Sequence, residues 1–137
     1  MYLIDTNVLS ELRRRNRTDR RVAAWADSVH PADLFLSAIT ILEIEAGTLM
    51  LQRRDKAQGA MLRAWIDERV LPTFETRILP VDTPVALRCA RLHVPDPRSE
   101  RDALIAATAL VHHMKLVTRN TADFAPMEVH LVNPWEH

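Results

Sequence analysis

The chain has 137 residues, of which 47% are hydrophobic, 18 are Lys or Arg, 18 are Asp or Glu and one is cysteine. That is one domain of ordinary size, spanning residues 1–137, too neutral for charge alone to point to nucleic acid, and its lone Cys89 excludes an internal disulfide or a multi-cysteine zinc site. No apolar run approaches the ~20 residues that span a bilayer, no basic signal region precedes the first apolar run, and Gly47 and Gly59 are too few for a P-loop or a dinucleotide fingerprint; the expected location is the cytoplasm, with no membrane partner.

Tyr2-Leu3-Ile4 is a short apolar run that ends at Asp5-Thr6-Asn7. It reads as a strand buried on both faces that delivers an acid at its C-terminal end. Thr6 to Arg15 reads as a helix carrying Val8, Leu9 and Leu12 on one face. Thr18 or Asp19 can cap a second helix with Val22, Trp25, Ala26 and Val29 inward, stopped at His30-Pro31. Arg13, Arg14, Arg15, Arg17, Arg20 and Arg21 cluster here, a third of all the basic residues. Such a patch suits phosphate, and Arg13, Arg14 and Arg17 are the candidates; a solvated helix face is the plainer reading.

Leu34 to Ser37 is a second strand, and Ala38 to about Arg54 a helix containing Thr40, Glu43 and Gly47. Residues 57–71 form a further amphipathic helix, which makes a helical hairpin with it. Residues 78–81 are a third apolar segment; Asp82 or Thr83 then caps a helix with Pro84 in its first turn. Residues 94–99 are loop. Asp102 to His113 is an alanine-rich helix, 116–118 a fourth strand, 120–126 a polar loop and 129–132 a fifth, edge strand. Strands alternating with helices predict an α/β fold around a mostly parallel sheet of about five strands.

In open sheets of this kind, ligands bind outside the carboxyl ends of the strands. Asp5, Glu43 and Asp123 follow such ends directly, and Asp102 joins them if its helix starts at the same edge. Singly they have bland roles: Asp5 a helix cap, Glu43 a solvated residue, Asp102 a partner of the helix dipole, Asp123 a turn residue. Together they repel one another unless a cation intervenes, and hard cations such as Mg²⁺ or Mn²⁺ select carboxylate oxygens. Glu45 lies about 200° round the helix from Glu43 and is expected in solvent or an ion pair. Gly47, one turn beyond Glu43, is expected to let that face pack closely. No histidine pair, nucleophilic serine with a base, or reactive cysteine competes; His112-His113 read as a helix end, and Trp25, Trp65 and Trp135 as core or interface.

Four stretches resemble the PIN-domain ribonucleases: LIDTNVLSEL from Leu3, LSAITILEIEAG from Leu36, RDALIAATAL from Arg101 and LVTRNTADF from Leu116, with VNPWEH at the C-terminus. The chain is similar to the VapC-type toxins of type II toxin–antitoxin modules, and to their FitB-like branch in particular. The resemblance implies a three-layer α/β/α sandwich and a Mg²⁺-dependent endoribonuclease (Mn²⁺ also serving). It implies a homodimer, a cognate VapB-like antitoxin, and operator DNA bound only through that antitoxin. By position, Asp5, Glu43 and Asp102 match the family's acids, with Asp5 and Asp102 as metal ligands. Many relatives carry an acid where this chain has Asn120, so either Asp123 or Asn120 fills the fourth corner. Thr6 and Thr118 correspond to polar supporting residues. An antitoxin Arg or Lys entering the acidic groove would block the metal, and an apolar antitoxin helix would cover the groove beside the hairpin. Two other readings compete: a catalytically weak scaffold acting as an antitoxin- and operator-complex binding module, and a haloacid-dehalogenase-type phosphatase. The second needs an Asp-x-Asp pair, and position 7 is Asn.

Overall fold

The computed structural model describes residues 1–14 and 16–137; Arg15, part of the basic cluster, lies outside the described residues. Five strands form one parallel sheet: β1 (Tyr2–Ile4), β2 (Leu34–Ser37), β3 (Ile78–Leu79), β4 (Lys115–Val117) and β5 (Leu131–Val132). Their order is β3-β2-β1-β4-β5, so β1 is central and β5 an edge. Every pairing is parallel, and all five carboxyl ends therefore share one side.

Alternation along the strands creates two cores, since successive side chains point to opposite faces. Leu3 and Leu116 face one layer with Val85, Ala103, Ala106, Ala107 and Phe124. Ile4, Leu36 and Val117 face the other with Val8, Val22, Trp25, Ile66 and Trp135. The helices of the first layer are α6 (Thr83–Leu92), α7 (Glu100–Val111) and the short α8 (Thr121–Phe124); the second holds α1 (Thr6–Leu12), α2 (Arg20–Ser28) and the hairpin of α3 (Ala38–Arg54) and α4 (Lys56–Trp65). Alanine at 103, 106, 107 and 109, all fully buried, lets α7 lie close against the sheet.

Several boundaries differ from expectation for local reasons. Helix α1 ends at Leu12 rather than Arg15, because Thr18 Oγ1 donates to the carbonyls of Glu11 and Arg14 and Asp19 N–H donates to the Glu11 carboxylate. Asp19, not Thr18, caps α2, and Asp82, not Thr83, caps α6. Strand β3 stops at Leu79, since Pro80 has no N–H for the ladder. β5 begins at Leu131 rather than 129. The stretch 120–126 is not simply loop: it contains α8 and the start of a 3₁₀ turn at Ala125–Met127. Helix α4 continues as a π-helical turn (Ile66–Val70) and then α5 (Leu71–Thr73). Pro72 lacks an N–H and crowds the carbonyl one turn back, and just ahead of it Leu71 N–H reaches Ile66 O in the wider i→i−5 pattern.

Gly47 corrects an expectation. A Cβ there would meet nothing within 4 Å, so Gly47 opens a groove instead of permitting close packing. The tight approach is at Gly59, where a Cβ would lie 2.6 Å from Gln52 Cα and 2.8 Å from Gln52 N. Gly59 is what allows α4 to fold back on α3 directly after Asp55, which closes one helix and caps the next.

Candidate active site

Asp5 ends β1 and caps α1 at once. Its Oδ1 accepts from Thr6 N–H at 2.8 Å, and its Oδ2 accepts from Thr118 Oγ1 at 2.7 Å and from Asn7 Nδ2 at 3.3 Å. Only 5% of the residue is exposed. Burial pushes its carboxyl pKa up, Glu43's charge pushes the same way, and the bonds from Thr118, Thr6 and Asn7 oppose them without cancelling the rise. The carboxylate is thus held in one orientation while no cationic side chain among the described residues pairs with it.

Thr118, directly after β4, is fully buried. Its hydroxyl donates to Asp5 and accepts from Asn120 N–H at 3.0 Å and Asn7 Nδ2 at 3.3 Å. Asn7 Oδ1 in turn accepts from Arg119 N–H at 3.2 Å. Asn7 and Thr118 therefore clamp the ends of β1 and β4 together around Asp5. In the sequence Asn7 stands only as a missing acid; its place so soon after the strand, beside a buried carboxylate, is the signal for this role.

Thr6 Oγ1 donates to Glu43 Oε1 at 2.7 Å, and so brings the first turn of α1 to α3. Glu43 is half-buried, and its Oε2 lies 3.9 Å from Arg101 Nη1, a long contact at a largely exposed arginine that sequence reasoning did not single out. Glu45 faces away into a two-pronged pair with Arg63 at 2.8 and 2.7 Å. Ser37, which has no catalytic partner, caps α3 by accepting from Ile39 N–H.

Asp102 lies in the first turn of α7. Burial raises its pKa first, and the charges of Asp5, Asp123 and Glu43 raise it further. Four carboxylates from four segments thus lie within electrostatic reach of one another. Asp123 is exposed in the first turn of α8. Asn120 is also exposed; its backbone N–H bonds Thr118, and its side chain caps nothing.

Of the arginine candidates, Arg13 lies over the Trp65 ring, 5.8 Å from its centroid, and Arg14 pairs loosely with Glu11 at 3.7 Å. Arg17 is exposed. A groove of about 300 Å³ runs from Thr6 and Glu43 past Gly47 to Arg13, Arg54 and Trp65. Trp25 and Trp135 are core residues and Cys89 is buried, its thiol pKa pushed up by burial.

The donors are all oxygen, the set that hard cations prefer. Among the described residues no three His, Cys, Asp or Glu side chains form a ready-made ligand cluster. Mg²⁺ does not require one, since it keeps several waters and is held through one or two carboxylates. The residues fit such an ion: Asp5 is fixed by three donors yet has no positive partner among the described residues, and the charged form of Asp102 is disfavoured by burial and by the charges around it.

Among the described residues no helix is long and apolar enough to cross a membrane. The PIN domain family model matches residues 2–127. The chain is 38% identical to Toxin FitB of Neisseria gonorrhoeae over 98% of its own length and 99% of the relative's. It is 35% identical to VapC ribonuclease Y4jK of Sinorhizobium fredii, covering 99% of each. The crystal structure of FitAcB from Neisseria gonorrhoeae superimposes with a TM-score of 0.89 at 37% identity, over 100% of both chains. A five-stranded parallel sheet, acids gathered at its carboxyl edge, and a match over nearly the whole length lead to one assignment: the chain belongs to the PIN-domain family.

Proposed function

We propose that this protein is a Mg²⁺-dependent endoribonuclease, acting as the toxin of a toxin–antitoxin pair and silenced by its antitoxin. One observation carries the catalytic reading: Thr6 ties Asp5 through its N–H and Glu43 through its hydroxyl, the charges of Asp5, Asp123 and Glu43 all bear on Asp102, and the one basic contact to these four carboxylates among the described residues is the long 3.9 Å approach of Arg101 to Glu43. Relatives named as a toxin and a ribonuclease support it.

In this reading Asp5 and Asp102 hold the metal, and Glu43 and Asp123 close the sides. When bound, the ion supplies charge neutralisation at phosphate oxygens and a more acidic water. The chain's own part is positional. Thr118, Asn7 and the Thr6 N–H fix the Asp5 oxygens, and the Thr6 hydroxyl fixes Glu43. Glu43 stands ready to take a proton from the attacking water. Asp123, rather than Asn120, serves as the fourth acid, because its charge reaches Asp102 and Asn120 brings none. Arg13, Arg14 and Arg17 guide the strand's phosphates.

The groove from Glu43 to Trp65 would receive the antitoxin, with a basic side chain entering among the acids. The exposed Leu42, Leu49 and Met50 of α3 give a homodimer an apolar face. The decisive experiment is RNA cleavage by antitoxin-free protein, with Asp5→Asn and EDTA as parallel arms. Cleavage is expected to vanish in both arms while the circular dichroism spectrum stays unchanged. Undiminished cleavage in EDTA would end the metal reading, and no cleavage by the unaltered protein would favour a pure binding module.

A further inference from the structure

A second cavity, of about 400 Å³, opens between the C-terminal end of α6, the 94–98 loop and the turn after α8. Arg88, Arg91 and Arg98 line it, against a single carboxylate, Glu128. None of the three arginines takes part in an ion pair among the described residues. Arg88 and Arg91 are three residues apart on α6, so they are neighbours on one face, where like charges repel. Arg98 is half-buried, and its Nε is shut off from water with no acceptor; a buried donor left unmade is costly. Its backbone is held in place, because Arg98 N–H donates to His93 Nδ1 at 3.0 Å. An apolar wall is supplied by Val94, Pro95 and Met127. Three guanidinium groups without partners, converging on a cavity larger than several waters at about 30 Å³ each, form a receptor for an oxyanion. Guanidinium forks match phosphate oxygens in geometry as well as charge.

The frame of this cavity is tied to the acids. Arg98 lies just ahead of α7, whose first turn holds Asp102, and Met127 follows α8, whose first turn holds Asp123. We infer that the cavity lined by Arg88, Arg91 and Arg98 binds a backbone phosphate of the RNA strand, outside the acidic cluster and apart from the Arg13–Arg17 patch. The inference rests on the ribonuclease reading for its ligand. It makes these arginines positioning residues: they anchor the strand, and they take no part in bond breaking.

The test uses the full chain carrying Asp5→Asn, so that RNA is bound without being cut, with and without Arg88→Gln and Arg91→Gln together. Binding of a fluorescent single-stranded RNA is followed by anisotropy over a range of salt. Loss of one phosphate contact lowers the slope of log K against log salt by about 0.7, and affinity at 0.1 M salt by about fivefold relative to the 1 M limit. Arg88→Lys with Arg91→Lys should restore most of the slope. An unchanged slope and affinity in the glutamine variant overturns the site, as does inorganic phosphate binding to the cavity that RNA fails to displace. Cleavage by protein with Asp5 intact is measured separately. If it cuts RNA and the slope is unmoved, only the cavity assignment falls; if the slope drops and nothing is cut, only the ribonuclease reading falls. Both exchanged residues are exposed, and an unaltered thermal melt checks that the fold is kept.

Discussion

Replacing Thr118 with Val probes how firmly Asp5 is held. Valine matches threonine in shape, so no cavity opens; what is lost is the 2.7 Å hydrogen bond to Asp5 Oδ2, together with the acceptor that the hydroxyl offers to Asn120 N–H and Asn7 Nδ2. A hydrogen bond to a charged group contributes about 1.5–3 kcal/mol. Here the hydroxyl is fully buried, so water does not replace it. Asn7 Nδ2 remains on the same oxygen at 3.3 Å, while the part-buried backbone N–H of Asn120 loses its acceptor. A loss of about 2 kcal/mol is therefore expected in urea denaturation at pH 7. Thr118→Ser should recover most of it. The gap also carries a pH signature. The bond favours the charged carboxylate, so the deficit is full at neutral pH and closes as pH falls through the Asp5 pKa. A double-mutant cycle with Asp5→Asn isolates the pair, with a coupling above about 1 kcal/mol expected. Cleavage should drop about 10–100-fold, as it does when the support of a metal ligand is removed. A valine variant as stable as the parent, with coupling near zero, would refute the claim that Thr118 orients Asp5.

Asp102→Asn should abolish cleavage and stabilise the metal-free protein at neutral pH. Its carboxyl pKa is raised in the fold, so the protonated form is favoured there. The aspartate's disadvantage is absent below the ordinary carboxyl pKa and grows as pH rises through the raised one, which denaturation at pH 4 and pH 7 would reveal. Mg²⁺ at tenfold over its Kd should stabilise the parent by about 1.4 kcal/mol and leave Asp102→Asn unmoved. The two glycines should respond in opposite ways. Gly47→Ala meets open space and gains about 1 kcal/mol of helix propensity. Gly59→Ala collides with the Gln52 backbone and should cost about 1–3 kcal/mol, both read by thermal melts. Glu45→Gln breaks the pair with Arg63 on a partly exposed surface; the expected change is at most about 1 kcal/mol, with cleavage rates unaffected.

The local patterns carried the architecture a long way. Short, mostly apolar runs, the first three each followed by a polar residue and a helix, located all five strands and implied the parallel sheet. Their ends were less legible, because proline and the ladder's last hydrogen bond, rather than hydropathy, stopped β3 and began β5. The helical turn after Asn120 was missed for a similar reason: Thr121 to Phe124 is too short to display a period. Asp5, Glu43 and Asp102 stood out because each follows a strand or opens a helix that leads into one, which fixes the edge on which it must appear.

By itself, then, the sequence determined most of the buried residues and most of the faces that strands and helices turn inward, with Met61 an exception at 59% exposure, and it singled out the acids that are candidates for the carboxyl edge. These properties depend on short-range spacing, and spacing is written along the chain. Tertiary structure alone decided what each acid meets. Thr118 reaches Asp5 across 113 positions, Thr6 reaches Glu43 across 37, and Asn7 joins Thr118 across 111. Those pairings follow from β4 lying beside β1 in the sheet and from α3 returning over α1, and a local period does not encode which neighbour an element chooses. The same limit hid the different duties of Gly47 and Gly59 and the convergence of Arg88, Arg91 and Arg98 on one cavity.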